Sequence, residues 1–228
     1  MENNAAQRAA LMPGKTEQEL IEQFGGIAFE KQSALASVIG EQNWKVDINN
    51  GQIIFGEDIV LPVQIIGSFS HSAETWLWSW ANTQASIPPA LLEHAELMKK
   101  YGAEHGIKLF TEGGFDADKE ELHLFGMIAS GMFDASGYYL ADYGAGTMLL
   151  TVKSPLIDDL EHNDHLRILT FFPQLISNYG MDHRNALRSY LILKGYTVTE
   201  DGDHLKGIQE GQTITALFDG LRLSSLKG

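Results

Sequence analysis

Cysteine is absent from all 228 residues, and its absence excludes disulfides, thiolate nucleophiles and Cys-ligated zinc or iron–sulfur centres. A metal would have to be held by His, Asp or Glu, and no cofactor is expected. Basic side chains are scarce, sixteen Lys and Arg against thirty Asp and Glu, which leaves a formal charge of −14. A chain so charged repels a phosphate backbone or an anionic lipid surface over a screening length of about 10 Å. Neither nucleic acid nor membrane is expected as a partner, whereas a basic protein would be steered toward it. Long apolar runs are missing as well: 126–136 and 144–152 fall well short of the roughly 20 residues that span a bilayer. The first residues carry Glu2 and Arg8 and lack the basic start, apolar centre and cleavage site of a secretory leader, so the expectation is a cytoplasmic protein.

What is present reads as α+β, with antiparallel sheets built from meanders and packed against several helices. Residues 1–15, with Pro13-Gly14, show no apolar period and are expected to form a flexible arm; 16–228 is then one domain or two packed lobes, about 16–153 and 154–228. Thr16 followed by Glu19 is a capping pair that opens a helix to about Gly40, with Gly25-Gly26 as an expected bend or break. Alternating runs at 44–48 and 52–55 flank Asn50-Gly51, the signal of a two-residue hairpin. Strands follow at 59–68 and 75–81, and Pro62 marks an edge or the beginning of a strand because it has no N–H for a ladder. Pro88-Pro89 opens a helix to Gly106; 108–111 reads as a short strand; Gly113-Gly114 reads as a turn; Asp116 or Asp118 caps a helix from about 119 to 133. Strand-like runs lie near Tyr138 and over 147–152. Further on, Pro173 is expected to interrupt a partly helical 156–179, and Asp182 caps a helix closed by Gly195. Four alternating runs separated by Asp-Gly and Glu-Gly turns then make a small meander.

The least ordinary stretch holds Trp76, Trp78 and Trp80, whose period of two puts all three indoles on one face if the segment is a strand. Two readings are open. The face is core, where large aromatics usually go, or it lines a pocket whose polar groups come from the indole N–H groups and Asn82, with His71 and Glu74 as a polar rim.

Thr75-Trp-Leu-Trp-Ser-Trp-Ala-Asn82, with Asp182-His-Arg-Asn-Ala186 and Phe218-Asp-Gly-Leu-Arg222, resembles the motifs of a family of uncharacterised bacterial domains of unknown function. The resemblance implies a cytosolic α+β domain and brings no activity, substrate or cofactor with it.

Chemistry-bearing clusters each have a bland counterpart. Asp158, His162 and His165 fall on one face at threes and fours if 158–165 is helical, a spacing a divalent ion could use; a solvated polar turn fits the same residues. His183 follows the Asp182 cap, where a substrate anion could sit, though the plain reading is a capped helix start. Glu93-His94 and Glu104-His105 point apart on a helix, and no nucleophile elbow surrounds Ser68 or Ser70 beside His71. The leading expectation is a non-enzymatic binding or interaction module using its acidic surface or aromatic face toward a basic protein or a small ligand, an immunity-type protein being one form. The competing one is a His/carboxylate hydrolase, metal-dependent or not. A chaperone that dimerises through its sheet is a third, so a homodimer is also compatible.

Overall fold

The computed structural model describes residues 6–7, 11, 14–159 and 165–228. The fold is α+β, with antiparallel sheets of meander topology packed against helices. Contacts gather the chain into two units, Lys31–Glu161 and a discontinuous one made of Met1–Glu30 and His162–Gly228. No described helix is long and apolar enough to cross a membrane.

The discontinuous unit starts with the first part of helix α1, Glu17–Ile39. Its N-terminus is closed as the capping pair implies: the Glu19 N–H donates to Thr16 Oγ1 at 3.1 Å, while Glu19 Oε2 accepts the Lys15 N–H at 2.6 Å. The bend expected at Gly25-Gly26 does not occur, since α1 runs through both. Gly26 is there for clearance: a Cβ on it would lie 2.5 Å from Cγ of Tyr190, and real contacts do not approach so closely. Helix α4, His165–Asn178, likewise continues through Pro173. Its apolar side, Ile168, Phe172 and Leu175, is buried, and that burial outweighs the hydrogen bond proline removes. Helix α5, His183–Leu193, begins on Asp182, whose Oδ1 accepts the N–H groups of Arg184 at 2.9 Å and Asn185 at 3.2 Å. Strands β8 (Thr197–Asp201), β9 (His204–Gln209), β10 (Gln212–Asp219) and β11 (Arg222–Lys227) form the expected meander, with turns at Gly202, Gly211 and Gly220, all in the left-handed region.

A buried ionic cluster lies inside this unit. The Glu30 carboxylate, with its side chain 4% exposed, accepts Lys194 Nζ at 2.8 Å on both oxygens, Arg167 Nε at 2.7 Å, and the Tyr190 hydroxyl. Burial first, then the charge of Glu30, push the Tyr190 phenol well above its ordinary pKa.

In the Lys31–Glu161 unit, strands β1 (Trp44–Asp47) and β2 (Gln52–Phe55) pair as expected, but their connection is not a two-residue turn. Register Asp47↔Gln52 leaves a four-residue loop, 48–51, because Asp47 turns back to accept the Asn50 N–H at 3.1 Å and draws that residue into the loop. Strand β3, Ile59–Ser70, is the spine: it pairs with β2, with β4 (Thr75–Trp78) and with β7 (Gly146–Val152). Pro62 faces β2 alone, since pairing to β7 starts at Val63, so the missing N–H costs nothing. Strand β5 (Gly114–Asp116) adds to β4 where a turn was expected, and β6 (Gly137–Asp142) adds to β7.

Helices α2 (Glu93–His105) and α3 (Glu121–Met132) belong to the same unit. Between them, 108–111 is a single helical turn rather than a strand, because Phe110 is drawn into the core against Trp78. Neither Asp116 nor Asp118 caps α3; the Asp118 N–H instead donates to Glu121 Oε2 at 2.7 Å. The core gathers Leu35, Ile53, Phe55, Leu61, Ile65 and Leu150 among others.

Both units shield the outer strand of a sheet in the same way. The Gln32 side-chain amide donates to the Tyr138 carbonyl and accepts its N–H on β6, at 3.0 and 2.9 Å. Gln7 does so for Val198 on β8, at 2.7 and 3.0 Å. One primary amide thereby occupies backbone groups that an incoming strand would need.

Candidate functional site

The tryptophan run divides where β4 ends. Trp76 and Trp78 are 0% exposed and share the inner face of the sheet. Their rings meet edge to face at 5.3 Å, with Phe125 at 5.2 Å from Trp76 and Phe110 at 5.7 Å from Trp78. Gly67 provides room for this pair: a Cβ there would lie 2.3 Å from Trp76 Cζ2. Trp78 Nε1 donates to the Leu109 carbonyl at 2.9 Å. Trp80 does not share that face, because Ser79–Ala81 turn into a 3₁₀ helix that rotates its ring out of the pleat. Trp80 is half-buried beneath the Lys99 ammonium, 4.0 Å from the ring centroid. Asn82 closes the turn by accepting the Ala85 N–H at 3.2 Å.

The hairpin loop 71–74, ahead of this segment, leads to an open acidic region. Glu74 adopts a left-handed backbone, φ 51°, uncommon for a residue with a Cβ; its N–H reaches the Ser70 carbonyl at 2.9 Å and its carbonyl receives the Ala117 N–H at 3.0 Å. That double tie brings the loop beside the segment joining β5 to α3. Two adjoining clefts result, sharing Glu74, Ala117 and Asp118. One, of about 330 Å³, is lined further by Ala73, Asp116 and Glu121; the other, of about 290 Å³, by Phe69, His71, Lys119 and Glu120. Carboxylates dominate the first, and Glu74, Asp118 and Glu120 line the second beside Lys119 and His71. The Lys119 ammonium is turned toward Asp142, at 3.3 Å. The Gly144 N–H, joined by Lys119 and His71, holds the Asp142 carboxyl below the usual carboxylate range.

His71 is fixed at both ring nitrogens. Nδ1 lies 3.0 Å from the Gly144 carbonyl and Nε2 2.9 Å from Thr147 Oγ1. A carbonyl only accepts, so Nδ1 carries a proton, while Nε2 and the threonine hydroxyl are held by each other. Ser70 is 3.4 Å from Ser72 and makes no bond to the imidazole. The arrangement braces the loop and leaves no ring nitrogen for a nucleophile.

The remaining sequence candidates lie elsewhere. His183 Nδ1 accepts the Leu223 N–H at 3.0 Å, which joins α5 to β11; burial, with Arg222 adding to it, lowers its pKa. The N–H groups that could bind an anion at this helix start are taken by Asp182. Asp158 pairs with Lys153 at 3.0 Å, His165 opens α4, and His162 lies outside the described residues. Among the described residues no group of three or more His, Asp or Glu is placed to hold a metal ion. Of the carboxylates in the acidic clefts, the sequence offers Glu74 as a pocket rim and Asp116 and Asp118 as helix caps, and assigns no role to Glu120 and Glu121. The signal that marks them is the run Asp116-Ala-Asp-Lys-Glu-Glu121, four acids and one base between a strand and a helix.

No curated protein and no solved structure matches the chain. A family model does match, over residues 18–155; the span takes in the tryptophan segment and both acidic clefts and stops short of 182–186 and 218–222. With more than half its length so matched, the chain belongs to a family of unknown function, DUF6882.

Proposed function

We propose that this protein is a non-catalytic interaction module that receives basic side chains of a protein partner in the acidic clefts beside Glu74. The observation that carries the reading is the convergence of Glu74, Asp116, Asp118, Glu120 and Glu121 on two adjoining clefts, on a chain whose formal charge is −14. A cation approaching such a surface gains from the whole field before it makes contact, which raises its association rate more than its final affinity. An immunity-type role against a basic protein is one concrete form of this reading. The burial of Trp76 and Trp78 turns attention from the aromatic face to the acidic one.

A peptide of alternating Arg and Gly tests it, with binding followed by calorimetry and by amide chemical shifts. Between about 0.01 M and 1 M salt the screening length falls from about 30 Å to about 3 Å, so affinity should drop at least tenfold. Glu74→Gln combined with Asp118→Asn should weaken binding at low salt by about tenfold and move the shifts away from 116–121. Salt-independent binding, or binding indifferent to the double substitution, would refute the proposal.

A further inference from the structure

A third cleft, of about 310 Å³, lies in the Lys31–Glu161 unit and is lined by Pro62, Val63, Gln64, His94, Phe133 and Thr151, with Lys153 and Asp134 at its polar end. Its volume is at the lower bound of small-molecule sites, enough for one or two rings. The histidine in it is held from three directions. Its ring lies flat on Phe133, centroids 4.0 Å apart and planes 16° from parallel. Nδ1 is 2.9 Å from Thr151 Oγ1, and the residue's own N–H donates to Gln64 Oε1 at 3.4 Å. Gln64 in turn donates to the Ala90 carbonyl at 2.8 Å, fixing the start of α2 over the strands. With Nδ1 engaged by Thr151, Nε2 remains to serve a ligand.

The charges at the polar end cancel. Lys153 Nζ reaches the Asp134 carbonyl at 2.7 Å and Asp158 at 3.0 Å, while Lys31 Nζ reaches Asp134 Oδ1 at 2.9 Å. Two ammonium groups thus face two carboxylates, and neither an anion nor a cation meets an uncompensated opposite charge. Burial lowers the pKa of His94, partly opposed by Glu93, so the imidazole is neutral near pH 7 and offers a directional hydrogen bond instead of a charge.

We infer that this cleft is a binding site for a small, uncharged aromatic molecule bearing an amide-type edge, its flat body against the apolar walls and its edge on His94 Nε2. The polar group is oriented before the ligand arrives, so the ordering cost that weakens most small-molecule contacts is already met by the fold. The inference is independent of the acidic clefts.

Benzamide is the probe, with benzoate as its charged counterpart, each titrated into the full chain while amide shifts and ligand saturation transfer are followed. Saturable shifts at Val63, Gln64, Thr151 and Val152 are expected with benzamide, and binding of benzoate at least threefold weaker. His94→Phe keeps a ring on Phe133 but removes the nitrogen, and should weaken benzamide about tenfold, the equivalent of one hydrogen bond. Thr151→Val releases Nδ1 without changing the shape and should weaken it severalfold, whereas Glu74→Gln should change nothing. Circular dichroism confirms that each variant is folded. The site is overturned if benzamide gives no saturable shift at about 10 mM, if benzoate binds as well, or if His94→Phe binds benzamide as the native chain does.

Discussion

Replacing Glu30 by Gln removes a negative charge that three buried or half-buried donors share, Lys194, Arg167 and Tyr190. The amide keeps the shape, but its NH₂ now faces donors that the second carboxylate oxygen received, and its one oxygen accepts only from Lys194 and either Arg167 or Tyr190. Lys194, with its side chain 5% exposed, has its ammonium 2.8 Å from both carboxylate oxygens, so it becomes a buried charge with no counter-ion. Arg167, 24% exposed, regains water more easily. Breaking a buried pair from one side costs about 3–5 kcal/mol, a large part of the roughly 5–15 kcal/mol that holds a domain folded. Urea unfolding followed by circular dichroism should show the midpoint falling with the slope unchanged. The paired substitution Glu30→Leu with Lys194→Met should recover more than half of the loss, because the cost arises from the abandoned charge and not from missing attraction. A loss below about 1 kcal/mol for Glu30→Gln, the level of a surface bridge, would refute the assignment of this cluster to the interior.

Two neighbouring glycines should respond oppositely to the same change. Gly26→Ala drives a methyl into Tyr190 at 2.5 Å and should destabilise by about 1–3 kcal/mol, whereas Gly25→Ala meets Ile21 and Leu175 at 3.5 and 3.6 Å and should stabilise by up to about 1 kcal/mol; thermal unfolding of the two variants decides. Acidification should also weaken the fold. Burial lowers the folded pKa values of His94, His123 and His183 below the ordinary 6.5, so below that value the unfolded chain takes up protons first and stability falls with pH, the loss being complete once pH passes the folded values. Because acid also relieves repulsion among carboxylates, the readout is a comparison: His94→Gln with His123→Gln should show a shallower loss between about pH 7 and pH 5 than the native chain, and equal slopes would count against the reasoning.

Where local chemistry decides the outcome, the structure could be read in the sequence. Thr16-Glu19, Asp182 and the Asp-Gly turns of the last meander each satisfy their own backbone groups within a few residues, and all are found as expected. The misreadings arise where a distant side chain overrides a local preference. Gly25-Gly26 signals a break unless Tyr190 is known to lie against it, and Pro173 signals an interruption unless the burial of Phe172 and Leu175 is known. The period of two placed Trp76 and Trp78 correctly and misplaced Trp80, because nothing in the pattern announces that the strand stops after Trp78. The sequence sets His71 and Glu74 on the rim of an aromatic pocket; in the structure both line an acidic cleft whose other carboxylates come from the segment joining β5 and α3, brought there by a backbone bond from Ala117 to Glu74.

The pairing of β3 also fixes an order of events during synthesis. As the nascent chain leaves the ribosome, β3 finds β2 and β4 at once, yet the edge beginning at Val63 stays open until Val152 has emerged. The opening turns of α1 wait longer still, because Tyr190, which seats against Gly26, is made after Val152. An apolar strand edge therefore stays unpaired until Val152 is made and an apolar helix face until Tyr190 is made, and long-range pairings of this kind are slow to close. Yield in a cell should then depend on elongation rate and on chaperone supply more than on the stability of the finished fold.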